Sequence, residues 1–245
     1  MRGTCFLFLA VLIIGSASAS ARVSGNPTRG NALIMSSIDN IEPFGSYGTM
    51  IAQDLQRIGY TVTMLKNTQV TLDLLMSGLN NYDIIIWQTD VYQWAHRTYY
   101  YVGEVATQTA RNDYANDFAN FALDYHAGVI GVNMLFFQEY FTSQSLSNVK
   151  LAFLLFSQSD SVASEFMKAG AQSVIFCVND VSPQFGLLDD LATQVVAYLA
   201  QGDTLNDAVY STITPYLYGT PLEDPLDSTY APPFWYLGSG SLTVT

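Results

Sequence analysis

The chain alternates between two hydrophobic periods along most of its length, and this alternation limits its fold more than any other feature. Residues 32–36 (ALIMS) are a short apolar run that reads as a buried strand. Residues 46–58 then place Met50, Ile51, Leu55 and Ile58 at helical spacing, and Gly59 follows as a stop. Residues 60–65 (YTVTML) return to a β-branched alternation, 71–79 suggest a short helix through Leu72, Leu75, Met76 and Leu79, and 83–87 (DIIIW) form a third buried run. After an irregular stretch over 88–148 the pattern resumes, with strands at 150–156 and 173–178 and helices at 161–168, 187–200 and 205–213, the last capped by Asp203 or Thr204. Strands that alternate with helices predict a mainly parallel central sheet covered on both faces, a three-layer α/β/α sandwich.

Two regions resist this reading. In the middle, residues 113–126 suggest a helix through Tyr114, Phe118, Phe121, Ala122 and Tyr125, whereas 128–141 (GVIGVNMLFFQEYF) fit a hairpin or a helix equally well. The tail from Pro215 is rich in Pro, Gly and aromatic residues and predicts a closing strand over 240–244.

The start of the chain carries Arg2, an uncharged apolar run over residues 5–15 and then Ala17-Ser18-Ala19. That order is a secretory signal, and the run is short for a membrane span; an uncleaved anchor is the alternative. The expected organisation is a signal at 1–20, a polar leader at 21–30, one α/β domain at 31–214, and an extension at 215–245 that packs on it, all working outside the cytoplasm. Cys5 would leave with the signal, so Cys177 would be the sole cysteine, and a packed core rather than a disulfide must hold the domain. The sequon at Asn26 is blocked by Pro27. With 9 Lys plus Arg against 21 Asp plus Glu, the net charge of −12 repels a phosphate backbone and argues against nucleic acid as a partner.

In parallel sheets, ligands bind beyond the carboxyl ends of the strands. That rule directs attention to Ser36 and Ser37, residues 88–90, 157–160 and 179–182. Cys177 is a candidate thiol nucleophile, although its apolar strand favours a buried, inert side chain. His96 could reach the sheet edge as a base, or serve as an ordinary surface histidine. His126 fits a helix C-terminus, and two histidines are too few for a histidine-rich metal site. Asp160 with Ser157 and Ser159, and Asp180 with Asn179 and Ser182, could line an oxygen-rich pocket for Ca²⁺, or simply cap loops. Asp189 and Asp190 suit an early helical turn and point to different faces. The aromatic segments 92–101 (YQWAHRTYYY) and 230–236 (YAPPFWY) are either sheet-end core or a surface for a protein or peptide partner.

Several phrases together resemble the caspase-like fold of clan CD cysteine peptidases, the group of caspases and gingipains. LIMSS at 33–37 is similar to the opening strand, and YDIIIW at 82–87 to the strand that leads into the catalytic histidine. YVGE at 101–104 is similar to the stretch after that loop, and LAFLLFS at 151–157 to the strand that delivers the catalytic cysteine. ASEFMKAGA at 163–171, SVIF at 173–176 and DTLNDAV at 203–209 are similar to the elements that follow, so the likeness spans about residues 31–213. The resemblance implies a thiolate and an imidazole within hydrogen-bond reach. Here Ser157 stands at the nucleophile position, and Thr89 and Asp90 stand where the base would be. The expectation is therefore a secreted, non-catalytic caspase-like domain used for binding or assembly at the cell surface, without a cofactor. The alternatives are an active secreted cysteine peptidase with a displaced pair, Cys177 and His96, and a structural subunit of an extracellular lattice or filament built through the aromatic tail and its closing strand. The oligomeric state is open.

Overall fold

Strand β1 (Gly30–Ser36) shows why the sheet lies at the centre of the molecule. Leu33 and Met35 are buried toward one side while Ala32 and Ile34 are buried toward the other. A strand with both faces apolar must be covered twice. The computed structural model describes residues 28–41, 43–177, 185–218 and 234–245. The signal, residues 21–27 of the leader, Asn179, Asp180, Ser182 and residues 219–233 lie outside the described residues.

In chain order, β1 is followed by α1 (Gly45–Arg57), β2 (Tyr60–Lys66), a π-helical turn (Leu74–Gly78) and β3 (Ile84–Gln88). Next come β4 (Val91–Trp94), β5 (Arg97–Val105), α2 (Gln108–Asp113), α3 (Ala115–Ala119), β6 (Leu123–His126), β7 (Val129–Val132) and α4 (Met134–Tyr140). The last described elements are β8 (Leu151–Leu155), α5 (Asp160–Lys168), β9 (Ser173–Cys177), α6 (Phe185–Gln201), α7 (Leu205–Tyr218) and β10 (Phe234–Gly238). Six strands form the central sheet in the order β10-β9-β8-β3-β1-β2. All its pairings are parallel except β10 with β9, which places Phe234 beside Cys177. The expected mainly parallel sheet is therefore present.

One face of this sheet packs on α1, α6 and α7 through Ile51, Leu55, Leu191, Val195, Leu199 and Val209. The other packs on α4 and α5, through Phe136, Phe137, Val162 and Phe166, and on the inner side of a second sheet. That second sheet is antiparallel in the order β4-β5-β7-β6 and contributes Tyr100, Val102, Ile130 and Val132. Among the described residues no helix is long and apolar enough to cross a membrane.

Four local expectations need correction. Residues 113–126 are not one helix: α2 and α3 occupy the first part, Phe121 turns back with φ 61°, and β6 then pairs with β7. The ambiguous segment 128–141 is both a strand and a helix, β7 then α4, with the Asn133 side chain accepting from Leu135 N to start the helix. The helix expected at 71–79 is largely a π-helical turn. The closing strand lies at Phe234–Gly238, not at 240–244. There the carbonyls of Gly240 and Leu242 instead accept from Asn206 N and Leu205 N, the unpaired first amides of α7. At that same terminus Thr204, not Asp203, supplies the cap: its Oγ1 accepts from Asp207 N at 3.2 Å.

Candidate functional site

The carboxyl ends of β1, β3 and β8 gather buried polar side chains. Ser36, Ser37, Gln88, Thr89, Ser157 and Ser159 are all buried. Apolar runs carry the chain to this edge, and the polar residues begin where each strand ends. Each must then find a partner inside the protein. Ser36 Oγ donates to Gln88 Oε1 at 2.7 Å, and Trp87 Nε1 donates to Ser37 Oγ at 3.0 Å. Gln88 Nε2 is buried and has no acceptor among the described residues.

The residues singled out from sequence fall as follows. Ser157 is 2% exposed, and among the described residues no hydrogen bond joins its hydroxyl to a base. Thr89 Oγ1 donates to the carbonyl of Tyr101 at 2.7 Å. Asp90 accepts from Val91 N at 2.7 Å, and burial raises its pKa above the ordinary value despite that bond. Cys177 is fully buried. Its Sγ donates to Leu154 O at 3.4 Å, its backbone N–H donates to Ser159 Oγ at 2.9 Å, and burial pushes the thiol up to about 12. A thiol held protonated in this way is a poor nucleophile at neutral pH. His96 sits at the exposed tip of the β4–β5 hairpin, and none of the contacts of Cys177 is to it.

His126 is not at a helix end. It lies on β6, with its ring stacked on Tyr92 at 5.0 Å. Tyr92 also stacks on Tyr99 at 5.3 Å and lies across Gly131, where a Cβ would meet its hydroxyl oxygen at 2.6 Å. Burial, with Asp124 nearby, raises the Tyr92 phenol well above its ordinary range. Tyr99 and Tyr100 are buried while Trp94 is 61% exposed, so segment 92–101 supplies both core and surface. In the tail segment, Phe234 is buried and Trp235 exposed. Asp189 is buried in α6, close enough to Cys177 for its charge to raise the thiol further. Among the described residues no group of three or more His, Cys, Asp or Glu side chains could hold a metal ion.

Beside Ser157 the structure opens a cleft of about 480 Å³, of which sequence reasoning finds only the wall at 157–160. Arg97, Thr98 and Tyr100 of β5, residues 133–135 at the start of α4, and Gln158, Asp160 and Ser161 at the start of α5 line it. Thr98 Oγ1 donates to Gln158 Oε1 at 3.0 Å, and Tyr100 Oη donates to Gln158 O at 2.9 Å. These two bonds tie the second sheet to the loop after β8. The strand-end rule points to residues 157–160, and with them Gln158 and Asp160, while Asn133 ahead of an apolar helical run marks a helix start; Arg97 carries no signal. A second cleft, of about 510 Å³, lies at the opposite ends of the strands. Its charged groups already pair, Lys150 Nζ with Asp83 Oδ1 at 2.9 Å, and Asn148 bonds to Asn80, so it offers a ligand less.

No family model matches the chain, and no curated protein matches it. Among solved structures, the Drosophila initiator caspase Dronc is similar over 88% of this chain and 82% of its own, with 12% identity and a TM-score of 0.50. A short-chain flavodoxin associated with a non-canonical PDU bacterial microcompartment aligns with 66% of this chain and 91% of its own, at 14% identity and a TM-score of 0.31. The likeness to the initiator caspase covers most of both chains: this chain has a caspase-like fold.

Proposed function

We propose that this protein is a secreted, non-catalytic caspase-like domain that binds a partner at the cell surface. The observation that carries the reading is the state of the nucleophile position. Ser157 is almost completely buried and has no basic partner among the described residues. A serine hydroxyl without an adjacent base keeps its proton and attacks poorly. At the base position, Thr89 is committed to a backbone carbonyl and Asp90 to a backbone amide. The displaced pair is less well supported, because the Cys177 thiol is buried and held protonated. Export rests on the order of Arg2, the apolar run and Ala17-Ser18-Ala19. Incubation of the mature protein with a broad peptide library should give no cleavage. Turnover that disappears in Ser157→Ala or Cys177→Ala would end the reading.

A further inference from the structure

The cleft between β5, α4 and α5 brings one cation and one carboxylate to the same opening. Arg97 and Asp160 both line it, and neither takes part in an ion pair among the described residues. Arg97 Nη1 makes a long bond of 3.4 Å to Phe121 O, and its guanidinium lies 5.1 Å from the Phe121 ring centroid. The Tyr99 hydroxyl sits beside the same guanidinium, and beyond these two partners its remaining donors make no hydrogen bond among the described residues. The Asp160 side chain accepts no hydrogen bond among the described residues; only its backbone carbonyl is engaged, by Ser164 Oγ. Leu135, 40% exposed, and the part-buried Met134 give the cleft an apolar wall. Gln158 accepts at Oε1 from Thr98, and its Nε2 donates to nothing among the described residues.

The frame of this cleft is strained. Phe121 and Gln158 are non-glycine residues at φ 61° and 54°, a region that bulky side chains avoid. Both are held there from outside. Phe121 O accepts from Arg97, from Tyr99 Oη at 3.1 Å and from Asn133 Nδ2, and Gln158 O accepts from Tyr100 Oη. Strain that surrounding contacts over-determine concentrates at working sites.

We infer that this cleft binds a small zwitterion with an apolar side chain, an α-amino acid or a dipeptide. The inference rests on the non-catalytic binding reading and names its ligand class. Arg97 takes the carboxylate, Asp160 the ammonium group, Gln158 Nε2 a backbone carbonyl or carboxylate oxygen, and Leu135 with Met134 the side chain. The charge of the whole protein favours this class. A net charge of −12 repels a simple carboxylate at long range, whereas a zwitterion carries no net charge. A simple cation would leave Arg97 unanswered. A volume of about 480 Å³ lies within the range of small-molecule pockets.

Calorimetric titration with leucine, leucyl-leucine, N-acetyl-leucine and leucinamide tests this. At least one zwitterion should bind, and comparison of the first two identifies the free amino acid or the dipeptide as the better ligand. Blocking either charged end should weaken binding about tenfold or more, the loss expected when a charge-assisted hydrogen bond goes. Asp160→Asn should weaken leucine but leave N-acetyl-leucine unchanged, and Arg97→Gln should weaken leucine but leave leucinamide unchanged. A merely structural role for either residue would lower all four ligands together. Failure of both zwitterions to bind the wild-type protein, or equal binding of the blocked ligands, overturns the inference. The non-catalytic reading survives that result unless peptide turnover is also seen.

Discussion

In the central sheet, β1, β3, β8 and β9 bury every apolar side chain they carry, on both faces. In the second sheet only one side is sealed against the core, and the other carries Tyr92, Tyr101, Asp124 and His126 at partial or full exposure. The two sheets also differ in backbone conformation. Among the described residues, seven non-glycine residues have positive φ, and five of them (Ala95, His96, Phe121, Ala127 and Gln144) lie between residues 88 and 148. The central sheet is held by burial of apolar surface. The second buries apolar surface on its inner side alone and adds tight turns and side chains that grip backbone carbonyls. A scaffold of the first kind tolerates little change inside but dictates its own shape. One of the second kind can hold residues in unusual conformations, and the cleft with Arg97 and Gln158 lies along its border.

Three measurements would break or sharpen this contrast. The largest effect belongs to the central sheet. Phe153, fully buried and edge-on to Phe234 at 5.0 Å, should cost about 3–5 kcal/mol as Phe153→Ala in denaturant unfolding. Tyr92→Ala, on the outer side of the second sheet, should cost no more than about 2 kcal/mol because its ring is only part-buried. Equal losses would remove the distinction.

The second measurement compares two glycines of the second sheet. Gly103 has φ 65°, and a Cβ there would stand 2.0 Å from the carbonyl oxygen of Asn67, a backbone atom with no way to swing aside. At Gly131 the obstacle is the Tyr92 ring, which can move. Gly103→Ala should therefore cost about 2–3 kcal/mol and Gly131→Ala about 1. The reverse order would show that the tyrosine cluster, not backbone geometry, holds this sheet.

The smallest effect at neutral pH belongs to Cys177. Its thiol is held protonated up to about 12 in the fold, against an ordinary value of 9.0. The unfolded chain therefore loses this proton first as pH rises. The contribution is complete below about pH 9 and is lost as pH climbs through about 12. Denaturant midpoints taken across that range should fall, and Cys177→Ala should flatten the fall relative to wild type. Identical slopes would mean that the thiol is not sealed in the core.

The same contrast explains what could be read from the residues alone. β1, β3, β8 and β9 were legible because each is a buried apolar run, and β2 because its β-branched residues alternate. The second sheet was not. The β4–β5 hairpin turns at Ala95-His96, both at positive φ, a conformation usually announced by Asn-Gly. The β6–β7 turn at Ala127-Gly128 is only half announced. Phe121 looked like one more helical aromatic, because nothing local shows that Arg97, Tyr99 and Asn133 will hold its carbonyl. At the candidate site, Ser157, Thr89 and the burial of Cys177 followed from strand ends and composition. The cleft did not, since it depends on Thr98 and Tyr100 meeting Gln158 some sixty positions later.

Strand β10 ties together parts of the molecule that lie far apart in the chain. It joins the sheet beside β9, although α6 and α7 separate the two along the chain. The segment just after it supplies the carbonyls that meet the first amides of α7. Without this stretch, β9 would have a bare edge and the first two amides of α7 would lose the carbonyls that meet them. A chain cut before Phe234 would expose an apolar strand edge open to stray pairing, so one short segment guards both the rim of the sheet and the start of a helix.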